Sequence, residues 1–492
     1  MNKYILAMLC TGLMTVSCTD SFEEVNKDPD KPLAEEVPST NIMAYCQRYA
    51  SDNLFDEWFD MNEVSGFSGQ LCKWMYPQEG FYEFRPTVNN SSWNTCYYVA
   101  ANLKTIINNE SEKSNMWAAA TIFQCQMFQI MTDRWGNIPY SDAFGLEEGN
   151  ATPKYDEQSA IYTDLLSRLA KAVSVLEADE EGDDIGSGDI FFSGDPEAWI
   201  KYGNALRLRL AARIANIDPS LARSTFEAVV EDGILPEGND DNVFFVWNNE
   251  YPEPWADYFQ SRPNEYGVSE LMVNTLVNFE DPRLPIYCAP TRVWQAWDGT
   301  GEEPAKYVGR QCGLRGNASV REFSQIGARF QDRSGSLAGF SPWLRSCEVY
   351  FALAYAASKG WEVGMTQQEA YETAVALSME ENDVDAEVYL TTGAGAYDGS
   401  EDQLFTQWWI SLFKNGSEAW SVYRMAPTTT YLFKENKVAP GNAWGSSHNC
   451  PPMCYGYPDV ERNLNTENCQ SSKENDYFWG KQMWWDVRKG LQ

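Results

Sequence analysis

Apolar positions run almost unbroken from Tyr4 to Val16, behind the single charge of Lys3, and stop at Ser17-Cys18. Such a run is too short for a stable bilayer-spanning helix. A basic start, a short apolar stretch and small residues at the junction mark a processed export signal. Residues 18–40 then carry Asp, Glu, Pro, Asn and Lys with few apolar groups, and Asn26-Lys27-Asp28-Pro29-Asp30-Lys31-Pro32 resists regular structure. This stretch reads as an extended tether.

From residue 41 the spacing turns helical. Ile42, Tyr45, Cys46 and Tyr49 recur on one face, as do Trp117, Ala120, Thr121, Gln124, Cys125 and Phe128. Ile161, Leu165, Leu169, Ala172 and Leu176 make a stripe over 158–177. Asp195-Pro196-Glu197 opens a further helix with an N-cap, a first-turn proline and a first-turn acid. Trp199, Tyr202, Leu206, Leu210 and Ile214 follow on its apolar face. Residues 344–359 and 367–380 read as two helices around Gly360, a unit of the tetratricopeptide size of about 34 residues, and 402–424 as a last helix. Between 232 and 341, and again over 425–482, Pro, Gly, Asn and Trp crowd together. Ordered stretches of that length usually carry function. The expected architecture is mostly α: helix pairs forming a scaffold with large irregular insertions. The expected domains are a signal at 1–17, a tether at 18–40 and a single body over 41–492.

Charge and composition narrow the chemistry. A net charge of −34 opposes the phosphate backbone of nucleic acid and the anionic heads of a membrane surface. One histidine, His448, leaves little room for a His-based metal cage or a Ser-His-Asp triad. Its neighbours Cys450 and Cys454, with Cys469, fit no common zinc module. Asp179-Glu180-Glu181-Gly182-Asp183-Asp184 lacks the alternation of a calcium loop and reads as a solvated acidic loop; no cofactor is expected. The chain holds 19 Trp, 26 Tyr and 24 Phe, a large stock of flat apolar faces.

Seven blocks, in order, resemble the SusD/RagB family of nutrient-binding outer-membrane lipoproteins, in its branch with a short Asp-Pro-Arg-Leu motif. They are Ser17-Cys18-Thr19-Asp20-Ser21-Phe22-Glu23-Glu24; Asp133-Arg134-Trp135-Gly136-Asn137-Ile138-Pro139-Tyr140; Gly188-Asp189-Ile190-Phe191-Phe192-Ser193-Gly194-Asp195 with Trp199 and Leu206-Arg207-Leu208-Arg209; Asp281-Pro282-Arg283-Leu284; Glu348-Val349-Tyr350-Phe351 with Lys359-Gly360-Trp361; Asn415-Gly416-Ser417-Glu418-Ala419-Trp420; and Tyr457-Pro458-Asp459-Val460-Glu461. Where the family often has two arginines after Glu-Ala-Trp, this chain offers Arg424 alone. The resemblance implies a tetratricopeptide-like α fold and lipidation at Cys18. It implies anchoring in the outer membrane, facing outward, with Asp20, Glu23 and Glu24 resembling a surface-export signal. It also implies a SusC-like TonB-dependent β-barrel transporter as partner, and capture of a glycan, or alternatively a peptide, without catalysis. A lipid-anchored glycoside hydrolase is the rival from another class. A structural cap that touches no ligand is a third reading.

Sugar capture needs apolar ring faces beside hydrogen-bonding groups. The segment 66–82 offers Trp74, Tyr76 and Tyr82 among glycines and amides. A second cluster offers Arg292, Trp294 and Trp297, and a third Trp255 with Tyr258 and Arg262. Aromatics also dominate core burial, so each of these rings either meets a ligand or pins its loop to the core. Arg207, Arg209 and Arg213 share one helix, and internal ion pairs account for them more simply than an anionic ligand.

Overall fold

The computed structural model describes residues 37–146, 149–248, 250–292, 306–319, 321–331, 339–439, 447–469 and 477–491. Cys18, Trp294 and Trp297 lie outside them, as does the tether up to residue 36.

Helices α1 (Ser39–Leu54), α2 (Pro86–Asn109), α3 (Asn115–Trp135), α4 (Gln158–Ala178), α5 (Pro196–Ile214) and α6 (Pro219–Asp232) each pack on the next. Helix α3 sits at the centre, buried along its whole length. A helix surrounded on all sides needs no polar face, and Ala118-Ala119-Ala120 lets its neighbours approach. The acidic loop at 179–184 serves its start: the Asp183 carboxylate accepts from the Asn115 and Met116 amides at 2.6 and 3.2 Å. A negative group there offsets the helix dipole. Among the described residues no cluster of three or more acidic, His or Cys side chains is arranged to hold a metal ion. His448 lies flat on Trp479, the ring centres 4.0 Å apart.

Helix α5 begins as its sequence indicates, with Asp195 accepting from the Glu197 amide at 2.9 Å. Its arginines are buried in ion pairs. Arg209 meets Glu348 at 2.8 Å, Arg207 meets Asp232 at 3.1 Å, and Arg213 meets Glu418. The Arg207 pair ties α5 to the end of α6, and the Arg209 and Arg213 pairs fasten α5 to a second helical group. That group follows α7 (Pro254–Ser261) and α8 (Glu270–Asn278), and consists of α9 (Ser346–Ser358), α10 (Gln367–Glu380), α11 (Glu401–Ser411) and α12 (Gly416–Met425).

Strands are few and short. β1 (Leu71–Lys73) pairs antiparallel with β5 (Tyr266–Val268), β2 (Ile138–Pro139) with β3 (Tyr155–Asp156), and β4 (Val243–Val246) with β6 (Phe340–Leu344). Among the described helices none is long and apolar enough to cross a membrane.

Three expectations need correcting. Leu344 ends β6, and the following helix starts two residues later. The single helix expected over 402–424 is two. The chain turns at Lys414, whose φ is 72°, and Asn415 caps α12 by accepting from the Glu418 amide at 3.2 Å. Lys414 is buried against Glu253 at 3.2 Å, so a tertiary ion pair fixes a break that apolar spacing conceals. In α1, Ile42 and Cys46 face the core, whereas Tyr45 is 37% exposed.

Candidate functional site

After α1 the chain enters a rare π-type helix over Glu57–Val64. Asp56 starts it, its carboxylate accepting from the Trp58 and Phe59 amides at 2.9 and 2.6 Å. Burial pushes Asp56 up to about 8, against the pull of those two amides. The residues from Phe59 to Val64 turn inward, and Trp58 is left 40% exposed. The wide turn of a π-helix costs regular geometry and occurs mainly at functional sites.

The facing wall comes from 247–262. Trp247 is buried and donates to Ser341 Oγ at 2.9 Å. Asn248 folds the next turn by accepting from the Tyr251 amide at 3.0 Å, which leaves the Tyr251 ring 47% exposed. Glu253 caps α7, accepting from the Ala256 amide at 2.7 Å, and α7 presents Asp257, Tyr258 and Arg262. Between the walls lies a cleft of about 580 Å³. Arg48 reaches over Tyr251, 5.6 Å from its ring centre. On its other side Trp58 borders a second hollow of about 330 Å³, with Arg85, Thr87 and Ser91. Trp58 is thus a ridge between two wet hollows.

The aromatic surface continues along α1 and α2. Tyr45 and Tyr49 stack at 5.5 Å, and Tyr98 meets Tyr49 edge-on at 5.4 Å. Bonding to Tyr98, aided by burial, pushes the Tyr45 hydroxyl up to about 12. These rings are rich in hydroxyls, and Arg48 lies 5.9 Å from the Tyr45 ring centre. Exposed rings beside Asn53, Asp257, Arg48 and Arg262 supply flat faces with hydrogen-bonding groups around them. Among the described residues the cleft lining carries four carboxyl groups, Asp52, Asp56, Glu57 and Asp257. A further hollow of about 580 Å³ lies between α2, α3 and α4, and along its wall Arg168 donates to the Tyr140 hydroxyl at 2.9 Å and Tyr140 to Asp164 at 2.5 Å.

The sequence-selected residues divide. Trp74 and Trp255 are fully buried and Tyr82 nearly so, which corrects their reading as ligand faces. Trp74 lies flat on Gly267, where an added Cβ would stand 1.8 Å from the ring. Tyr82 packs edge-on against Trp479, and Trp255 against Phe413. Tyr76 is 58% exposed, with a left-handed φ of 51°. Arg292 is held by Gln325 at 2.8 Å and Asn264 at 3.0 Å. The three chosen segments nevertheless converge: the Trp74 amide bonds the Glu265 carbonyl at 2.6 Å, Tyr258 donates to Glu265, and Arg292 reaches Asn264. Trp58, Tyr251 and the tyrosines of α1 and α2 escaped sequence reasoning. One signal was present, the polar stripe Arg48, Asp52 and Asn53 beside Tyr45 and Tyr49.

A family model described as starch-binding and associating with the outer membrane, the SusD-like type, matches residues 31–437. The chain belongs to this family. SusD-like proteins are carbohydrate-binding proteins rather than enzymes. Similar solved structures include a chitin-binding protein, with TM-score 0.79 and 24% identity over 92% of this chain and 100% of that one. A chitin-binding SusD homolog from Flavobacterium johnsoniae has TM-score 0.71 and 24% identity over 91% and 97%. A SusD-like protein from Bacteroides thetaiotaomicron has TM-score 0.75 and 20% identity over 92% and 99%. No curated protein sequence matches significantly. The SusD-like blocks resolve into structural roles. Asp281 and Arg283 form a buried two-pronged pair, with bonds of 2.9 and 2.6 Å, that reaches Ser378 and Gln407. Asp189 accepts from Gln47, Gly194 and the Trp199 indole. The lone Arg424 lies 3.7 Å over the Trp420 ring, and burial lowers it to about 10.

Proposed function

We propose that this protein is a lipid-anchored, outward-facing outer-membrane lipoprotein that captures a glycan in the Trp58–Tyr251 cleft and passes it to a TonB-dependent β-barrel transporter. The observation that carries the reading is the pair of exposed rings, Trp58 and Tyr251, lining one polar cleft, where most other large aromatics among the described residues are buried or partly buried. A pyranose ring offers an apolar C–H face to such rings and hydroxyls to Asn53, Asp257, Arg48 and Arg262. The family description, and the chitin-binding names of two similar structures, support a neutral polysaccharide fragment as ligand. Cys18 supplies the anchor.

Calorimetric titration of the soluble body with starch-derived and chitin-derived oligosaccharides, and with peptides as controls, tests the reading. Binding to at least one glycan series, weakened by Trp58→Ala, is expected. Binding to peptides alone would move the ligand class. Glycan binding indifferent to both Trp58→Ala and Tyr251→Ala would remove the cleft. Release of the Cys18→Ala chain from the membrane fraction, and co-purification of the native chain with a β-barrel, test the anchor and the partner.

A further inference from the structure

Strand β1 and the 306–319 segment bring two thiols together. Cys72 Sγ lies 3.7 Å from the Gln311 carbonyl oxygen, and Cys312 Sγ lies 3.0 Å from the Leu71 carbonyl oxygen. Each thiol thus reaches the peptide group just before the other cysteine. Cys72 is buried and Cys312 half-buried, so one of the pair meets solvent.

We propose that Cys72 and Cys312 are joined as a disulfide in the exported protein. This rests on the extracytoplasmic placement proposed above, since such bonds persist in oxidising compartments. The oxidant is a protein disulfide of the thiol–disulfide oxidoreductase class. The Cys312 thiolate attacks one sulfur of that disulfide and expels the other as a thiolate, giving a mixed disulfide. The Cys72 thiol then loses its proton and attacks the Cys312 sulfur. The Cys72–Cys312 bond forms, and the oxidoreductase leaves as a dithiol, carrying two electrons and two protons from the pair. Contact with Cys72, and then burial, raise the Cys312 thiol well above its ordinary value. Its thiolate is therefore scarce, and exchange at this pair is slow unless an oxidoreductase supplies a reactive disulfide.

The bond would fix the loop surface that carries exposed Tyr76. Around the pair, Arg310 and the Ala318 amide both bond the Trp74 carbonyl at 3.1 Å, and Asn317 accepts from the Tyr76 amide at 3.2 Å. A covalent link between Cys72 and Cys312 holds the 310–318 segment beneath exposed Tyr76, where hydrogen bonds alone would open more readily.

The test takes the full chain from the membrane fraction, unfolds it in the presence of iodoacetamide so that buried free thiols are blocked as they are exposed, and maps digested peptides by mass spectrometry. A linked peptide containing Cys72 and Cys312 is expected, and its loss in Cys312→Ser. Membrane-fraction protein carrying the alkyl label at both positions overturns the disulfide and leaves the placement standing. Recovery of the chain in the cytoplasm overturns the placement instead. Purified reduced full chain incubated with oxidised glutathione then decides the pairing alone. Formation of the Cys72–Cys312 link ahead of other links supports it, and links scattered among other cysteines overturn it.

Discussion

Two tryptophans sixteen positions apart show what decides a residue's role. Trp74 stands among glycines and amides, the setting of a ligand loop. Trp58 stands in Asp-Glu-Trp-Phe-Asp, which looks like a helix boundary. Their fates are the reverse, because Gly267 across β5 removes the side chain that would have pushed the Trp74 ring outward. That partner is remote in sequence, so nothing local to Trp74 announces it. The two substitutions therefore separate binding from stability. Trp58→Ala or Tyr251→Ala removes an exposed ring, and glycan affinity should fall roughly tenfold, about 1.4 kcal/mol, with the melting temperature almost unchanged. Trp74→Ala empties a fully buried site and should cost about 3–5 kcal/mol in chemical denaturation. Any loss of binding there would follow unfolding. Equal stability losses for Trp58→Ala and Trp74→Ala would contradict these placements.

At the scale of elements, periodic helices were legible because one stripe of apolar residues faces one core. The stripe over 158–177 and the cap at Asp195 reappear as α4 and α5. The helix over 57–64 was not legible, because its course is set by contacts rather than spacing. Asp60 in its middle is buried, accepting from Ser65 Oγ at 3.1 Å and from the Gly416 amide at 2.9 Å. A Cβ on Gly416 would come within 2.3 Å of Asp60, so the glycine after the α12 cap is required for this approach. Burial drives Asp60 up to about 7, with Ser65 and Gly416 pulling the other way. The folded state therefore holds a proton that the unfolded chain, with an ordinary carboxyl near 3.9, has released. The contribution is complete below about pH 4 and is lost as pH rises through 7. Hydrogen exchange of amides in 57–64, corrected for intrinsic rates, should show opening at least about tenfold easier at pH 8 than at pH 5. Asp60→Asn should reduce that dependence, with Asp56, raised to about 8, carrying the remainder, and the double variant Asp56→Asn/Asp60→Asn should flatten it. A segment equally protected at both pH values would mean that Asp60 is ionised when folded.

In the whole molecule, the blocks that make the family recognisable and the surface that meets ligand are different sets of residues. Asp189, Arg283, Glu418 and Arg424 are buried and tie helices together, which restricts them to one chemistry and makes them readable in order along the chain. Trp58, Tyr251 and Tyr98 sit on the outside of that frame, where nothing in the packing dictates their identity, so the frame was legible and, of the cleft, only Tyr258 and Arg262 were. Electrostatics joins the two. A net charge of −34 surrounds a cleft lined by two arginines, Arg48 and Arg262, and by Asp52, Asp56, Glu57 and Asp257. Polyanions are repelled from this surface at low salt, while a neutral sugar feels no net field. Stacking on Trp58 and Tyr251 should then give affinity that changes less than about twofold between 50 and 500 mM salt, since the Debye length shrinks from roughly 14 to 4 Å without touching ring contacts. Titrations of a neutral and a sulfated oligosaccharide across that range decide the matter. The sulfated ligand should bind weakly at low salt and gain as salt rises. If the neutral ligand instead lost affinity several-fold with salt, charged contacts would be carrying the binding, and the aromatic cleft would be a secondary feature of this surface.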